Sequence, residues 1–248
     1  MASGWLDATF RVGGTEETVK RFIANGYPVI AEKGFMVSSG WVGHYVLITG
    51  YDDATQTWLA QDATRGPDQR ISYRDLDADW QEFNRLFILV YPVEDTPKIM
   101  ALLGPDADEA ANRRRALEVA QQEIQSDPDN AFTWFNLGSN LNYFDRYNEA
   151  AAAFDEARRL GLPWRMLFYQ FGPYRAYFNM GRQQDVIDLA DATLGARPDL
   201  EESYFWRGWA RYSEGDYFGA VEDFRSALVI NPNFNDAVLA LQSLGETP

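Results

Sequence analysis

Gly40-Trp41-Val42-Gly43-His44-Tyr45-Val46-Leu47-Ile48-Thr49-Gly50-Tyr51-Asp52-Asp53 is the stretch on which the fold of the first hundred residues turns. Its β-branched and aromatic side chains predict a strand over residues 44–51, opened by the only His of the chain and closed by a Gly-Tyr-Asp-Asp turn. Outward from it, runs of the same kind predict strands over residues 27–31, 57–61 and 86–91. Arg65-Gly66-Pro67-Asp68 reads as a turn. Thr15 caps a helix predicted over residues 15–25, with Glu16 and Glu17 in its first turn and Asn25-Gly26 stopping it. Ser72 opens a second, shorter helix over residues 73–80. Residues 1–97 are thus expected to form an α+β domain of mostly antiparallel strands.

The hydrophobic period changes near residue 100. Pro92-Val93-Glu94-Asp95-Thr96-Pro97 reads as a linker, and from Asp106 onward apolar residues recur at i, i+3, i+4 and i+7, the spacing of amphipathic helices. This second domain, residues 98–248, repeats itself. Trp134, Leu137, Gly138, Leu141, Ala150, Phe154 and Ala157 share offsets with Tyr204, Gly208, Gly215, Tyr217, Ala220, Phe224, Ala227 and Pro232. A weaker middle copy carries Tyr177, Gly181, Val186, Ala190, Thr193 and Pro198. The copies fall near 131–164, 167–200 and 201–234, with flanking helices over residues 111–125 and 236–244. Small residues let two antiparallel helices approach, Phe154 and Phe224 fill the space beside them, and Pro ends each unit. A hairpin of this kind cannot bury its face alone, so neighbours stack. The pattern resembles the tetratricopeptide repeat and implies an all-α superhelix. The middle copy departs at Pro173 and Tyr174, which predicts a distorted first helix there.

Composition closes off several functions. The 248 residues include no Cys and one His, so the chain holds no disulfide, thiolate zinc site or iron–sulfur cluster and no His-rich metal site, and no cofactor is expected. A net charge of −15, split −6 and −9 between residues 1–97 and 98–248, argues against nucleic acid and anionic lipid as partners. No apolar run reaches the roughly 18 residues of a membrane helix. Residues 1–14 lack a signal peptide's basic start and apolar core, so a cytoplasmic location is the default expectation. Asp75, Asp77 and Asp79 alternate like part of a calcium loop but lack its Gly and bidentate Glu, and read as the polar face of a helix. Arg11-Val12-Gly13-Gly14 reads as a turn rather than a leader cleavage site.

One pair invites a chemical reading. If the strands over 44–51 and 57–61 are neighbours, His44 and Asp62 meet at one end. A carboxylate bonded to an imidazole fixes its tautomer and orients it as a base. The alternative is an accidental pair at two strand ends.

Phe22-Ile23-Ala24-Asn25-Gly26-Tyr27-Pro28-Val29-Ile30, Gly43-His44-Tyr45-Val46, Gly50-Tyr51-Asp52 and Gln61-Asp62-Ala63 occur in an order that resembles the second half of a papain-like cysteine peptidase domain, of the bacteriocin-processing (double-glycine leader) type. Ile71-Ser72-Tyr73, Trp80 and Phe87-Ile88-Leu89-Val90-Tyr91 complete the likeness over residues 11–92. The resemblance implies that His44 is the general base and Asp62 its orienter. It also implies a nucleophilic Cys on a helix in the first half of the domain, which this chain lacks. Thiol chemistry by this chain alone is therefore not expected. Three explanations stand: a piece of a longer peptidase, a degenerate domain kept as a binding module, or a Cys-bearing half supplied by another polypeptide.

In tetratricopeptide superhelices the first helix of each hairpin lines the concave face. The matching positions are Phe135, Asn136, Ser139, Asn142 and Tyr143, then Phe171, Arg175, Phe178 and Asn179, then Phe205, Trp209 and Tyr212. Aromatic rings interleaved with amides suit a protein or an extended peptide. The alternative is that these rings pack internally. The expected function is therefore a part of a cysteine peptidase-like protein that binds a peptide partner through its repeats, or a non-catalytic adaptor built on a degenerate peptidase domain.

Overall fold

The computed structural model describes residues 5–248. In the first part of the chain, strands β1 (Leu6–Arg11), β2 (Val29–Val37), β3 (Gly40–Asp52), β4 (Thr57–Asp62), β5 (Gly66–Ser72) and β6 (Phe87–Pro92) alternate with helices α1 (Glu16–Ala24) and α2 (Tyr73–Gln81). All pairings are antiparallel, in the order β1-β6-β2-β3-β4-β5. Both predicted helix starts hold: Thr15 accepts from the Thr18 amide and Ser72 from the Asp75 amide, satisfying donors that a first turn leaves free.

One face of this sheet is the core. Val29, Ala31, Val46, Ile48, Trp58, Phe87, Leu89 and Tyr91 are buried against Val19 and Phe22 of α1 and Leu76 and Trp80 of α2. Gly13-Gly14 is the turn expected of it. Gly13 has φ +64°, and a Cβ on Gly14 would lie 2.4 Å from the Trp80 ring.

The structure revises several expectations. β1 and β5 were not foreseen: β1 carries only one β-branched and one aromatic residue, and β5 opens on Gly66-Pro67-Asp68, which carries a turn signature. β2 and β3 run to a hairpin in which Val37 pairs with Gly40, so His44 lies inside β3 and does not open it. The residues read as a linker are ordered. Helix α3 (Thr96–Leu103) follows a 3-10 turn at Val93–Asp95 and buries Ile99 and Leu103 in the sheet's core. Proline-rich and charged residues signal a boundary, but two apolar side chains four residues apart suffice to dock a helix.

The remaining helices are α4 (Glu109–Ser126), α5 (Ala131–Tyr143), α6 (Tyr147–Arg159), α7 (Gly172–Asn179), α8 (Gln183–Ala196), α9 (Glu201–Ser213), α10 (Tyr217–Ile230) and α11 (Asn235–Ser243). The architecture is therefore an antiparallel α+β part followed by an all-α repeat part. The middle repeat is distorted as predicted: a 3-10 turn at Trp164–Phe168 precedes α7, which is only eight residues long with Pro173 in its first turn.

The chain forms two compact units, one running to Asn140 and taking in Ala157–Gly161, the other made of Leu141–Glu156 and Leu162–Pro248. Within the first, the Asn112 side chain bonds both the amide (3.1 Å) and the carbonyl (2.9 Å) of Val12. Asn84 donates to Asn140 at 2.9 Å. Arg85 binds Asp77 and Glu123. Within the second, Phe224 fills the notch left by Gly208, and the Tyr174 hydroxyl sits between Thr193 (3.2 Å) and Ser203 (3.1 Å).

Candidate functional site

The sheet brings His44 and Asp62 together. Val46 of β3 pairs with Asp62 of β4, and His44 lies two residues away on the same face, the diagonal position within reach of a ring. His44 Nε2 is 2.9 Å from Asp62 Oδ1, with the two side chains 15% and 3% exposed. Asp62 is held by its own turn: Oδ1 also accepts from the Thr64 amide (2.8 Å), the Thr64 hydroxyl (2.7 Å) and the Arg65 amide (3.1 Å). Burial pushes the Asp62 carboxyl up. The Thr64 hydroxyl and amide, His44 and the Arg65 amide outweigh it and hold the group well below the usual carboxylate range. Asp62 is thus an anion at neutral pH and accepts the Nε2 proton. Nδ1, which has no partner among the described residues, carries the lone pair.

The surroundings hold the ring in place. Phe35 meets His44 edge-on, with centroids 5.5 Å apart. Lys33 pairs directly with His44 across the β2–β3 ladder, and its ammonium lies 5.3 Å from the Phe35 ring and binds Asp79. Arg65 lies 5.8 Å from the same ring. Thr64, Arg65, Phe35 and Lys33 were not singled out from sequence. The signal for the first two was present, since an Asp followed two residues later by Thr is a turn in which the carboxylate takes backbone amides. Among the described residues no group of three or more His, Cys, Asp or Glu side chains is placed to hold a metal.

A chemical readout is available because the imidazole is single. The 15N shifts of His44 are expected to report the Nε2–H tautomer in its neutral form. Asp62→Ala is expected to turn this into a mixture of tautomers. An unchanged spectrum would show that the carboxylate does not set the tautomer.

In the second unit, Arg175 and Phe178 of α7 meet Phe205 and Trp209 of α9 around an open cleft of about 400 Å3, with Asn179 and Trp206 completing its wall. Phe178 lies 5.9 Å from Trp206, and Trp209 meets Tyr212 edge-on at 5.9 Å. The Arg175 guanidinium is tied to Asp145 at 2.8 Å. The other predicted groove positions lie elsewhere. Phe135 is fully buried, and Asn136 is buried and donates to the Gln81 carbonyl at 2.7 Å. Asn142 is buried and donates to the Gly172 carbonyl at 2.7 Å. Phe171 is the residue before α7, and Tyr143 meets Phe144 edge-on. Helical spacing placed Phe135, Asn136 and Asn142 on one face, but where that face is packed it offers no surface. Trp206 is a cleft residue that the repeat register did not indicate.

These two features define a Cys-free sheet unit carrying an oriented imidazole, followed by a helical-repeat unit carrying an aromatic cleft. Residues 2–88 match the Peptidase_C39 like family, and residues 201–234 match the tetratricopeptide repeat. The chain thus carries a Peptidase_C39-like stretch in its first unit and a tetratricopeptide-repeat match in its second. Among solved structures it is similar to MamA 41-end from Desulfovibrio magneticus RS-1, at 15% identity and a TM-score of 0.50, over 61% of this chain and 84% of that one. The MamA RS-1 ArsTM double mutant is similar at the same identity, TM-score and coverage. At that identity the likeness speaks for the fold. No curated protein matches the chain. No helix among the described residues is long and apolar enough to cross a membrane.

Proposed function

We propose that the chain handles peptides: its second unit binds an extended segment in the aromatic cleft, and its first unit supplies the base and orienter of a cysteine-peptidase centre. The observation that carries the second part is the 2.9 Å contact of His44 Nε2 with an ionised Asp62, which leaves Nδ1 free to take a proton. A thiol on another segment or polypeptide would give its proton to Nδ1, and the thiolate would attack the peptide carbonyl. The imidazolium would return the proton to the leaving amine. The chain has no Cys, so on its own it binds and does not cleave. That absence favours a second reading, a non-catalytic adaptor whose sheet unit retains the dyad without using it.

The experiment is the N-terminal peptide and intact mass of the protein from its own cells, followed by His44→Ala in that form. A Cys-bearing segment, with hydrolysis that His44→Ala abolishes, supports the peptidase reading. A mass equal to the 28.3 kDa of this chain with no Cys-bearing partner co-purifying supports the adaptor. The cleft is tested separately on a peptide array of random 12-mers. Trp209→Ala with Phe178→Ala is expected to weaken retained peptides by roughly tenfold or more, the loss typical of aromatic anchors. Unchanged affinity would remove the cleft from the proposal.

A further inference from the structure

The second face of the sheet in the first unit is covered at the β2–β3 hairpin end, where Trp41 meets Phe83 and Phe132 of α5, and is open over β1 and β6. Paired residues share a face, and the register carries one apolar surface across four strands: Leu6–Pro92, Ala8–Val90, Phe10–Ile88, Ile88–Ile30, Ile30–Leu47. α1 and α2 cover the opposite face. Leu6, Phe10 and Val90 are 70%, 45% and 42% exposed, far more than a sheet interior allows. A groove of about 270 Å3 opens there, lined by Phe10, Tyr45, Leu86 and Ile88 among others.

One residue on this face is out of keeping with it. Glu32 pairs with Tyr45 across the β2–β3 ladder, and its amide bonds the Leu86 carbonyl on the other side, so it sits in one row between two groove-lining residues. It is 7% exposed, and no Lys or Arg among the described residues pairs with it. Burial pushes its carboxyl up to about 7, against the pull of the Tyr45 hydroxyl. A carboxylate in an apolar setting without a cation is costly, and bringing one to it recovers much of that cost.

We infer that this face is a docking site for an amphipathic helix that lays an apolar stripe over Phe10, Ile88 and Val90 and carries one Lys or Arg in the stripe to pair with Glu32. The dimensions fit. Three interstrand steps from β1 to β3 span about 14 Å, slightly more than the 10–12 Å diameter of a helix with its side chains. A small molecule would cover only the groove and leave the β1–β6 strip wet. A second copy of the chain is disfavoured by charge, because a two-fold contact would set Glu32 against Glu32 in a molecule of net charge −15. The site does not depend on the reading of His44, Asp62 or the repeat cleft.

The test uses the full chain and two acetylated, amidated 16-residue peptides of Leu, Ala and Gln. Both have Leu at i, i+3, i+4 and i+7 spacing. One carries Lys in the middle of the stripe and the other acetyl-lysine, which has similar shape and no charge. Fluorescence anisotropy is expected to show the Lys peptide binding about tenfold tighter, the scale of one charge-assisted contact. Glu32→Gln is expected to remove that preference, and Phe10→Asp to weaken both peptides. The inference is overturned if the two peptides bind alike, if the preference survives Glu32→Gln, or if Phe10→Asp leaves binding untouched. A concentration-dependent dimer dissolved by Phe10→Asp would also overturn it, in favour of a second copy. The Lys and acetyl-lysine comparison needs no protein variant, so it stands even if Glu32→Gln does not fold.

Discussion

Phe224→Ala is expected to destabilise the second unit by about 3–5 kcal/mol, the range for truncating a buried aromatic ring. Phe224 is fully buried, packed with Ala220, Val221, Ala240 and Leu241 and against Phe205 and Trp209. Its ring lies where a Cβ on Gly208 would be 2.7 Å away. The small residue at 208 and the large one at 224 are thus two halves of one contact, which yields a second expectation. Gly208→Ala alone overpacks the notch and costs stability, whereas in a Phe224→Ala background the added methyl enters the cavity and costs less. The two effects should fail to add. Because repeats lean mainly on their neighbours, the loss should appear first as faster amide exchange in α9 and α10 while the β3 and β4 amides stay protected. Uniform loss of protection through the whole chain would contradict this. Trp209 rests on Phe224 at 5.2 Å, so the same substitution should also loosen one wall of the aromatic cleft.

The Gly208–Phe224 contact was legible because its sequence pattern recurs: a Gly and a Phe stand at the same spacing at 138 and 154 as at 208 and 224. The helix caps at Thr15 and Ser72 were legible for a different reason, since capping is local chemistry carried by one side chain. β1 and β5 were not. Leu6-Asp7-Ala8-Thr9-Phe10-Arg11 alternates correctly but carries only one β-branched and one aromatic residue, and of Gly66-Pro67-Asp68 only Gly66 pairs in the ladder to β4, while the Asp68 amide bonds the Gln61 side chain at 3.1 Å. Helix α3 hid for a related reason, because only tertiary burial of Ile99 and Leu103 distinguishes it from a linker.

The site divides in the same way. The dyad could be proposed from one His and one Asp at strand ends, but its geometry depends on the β3–β4 register, which no local pattern specifies. The repeat cleft was half legible. Arg175, Phe178, Phe205 and Trp209 do meet, whereas Phe135, Asn136 and Asn142 lie on parts of the same helical faces that are already packed. A repeat register says which way a side chain points and not what lies in front of it. Glu32 shows the converse. Nothing in Ala31-Glu32-Lys33 distinguishes a buried acid from a surface one until the sheet is assembled.

Asp62→Ala is expected to cost the first unit about 2–3 kcal/mol at neutral pH, since it removes a buried acceptor shared by His44, Thr64 and Arg65. Its pH dependence identifies the cause. The folded carboxyl titrates below its ordinary value, so the native state binds fewer protons than the unfolded chain. The stabilisation is present above about pH 4 and is lost as pH falls through the folded value. Glu32 and Glu82 have the opposite sign. Burial raises both to about 7, the Glu82 carboxylate despite the bond it accepts from the Trp41 indole at 2.6 Å and the nearby Lys33, with Asp79 adding to the rise. Their native forms hold protons that the unfolded chain releases, so stability declines as pH rises from about 4.5 to 7 and levels off above. The three groups together predict a maximum for the first unit between about pH 4 and 5. Asp62→Ala should flatten the acid limb and leave the other, while Glu82→Gln, which keeps an acceptor for Trp41, should reduce the rise-of-pH limb by about half, Glu32 carrying the rest, and leave the acid one. Urea midpoints followed by exchange of the β3 and β4 amides across pH 2 to 8 measure both. An acid limb unchanged in Asp62→Ala would mean that the Asp62 turn, and with it the orientation of His44, is not what holds this end of the sheet.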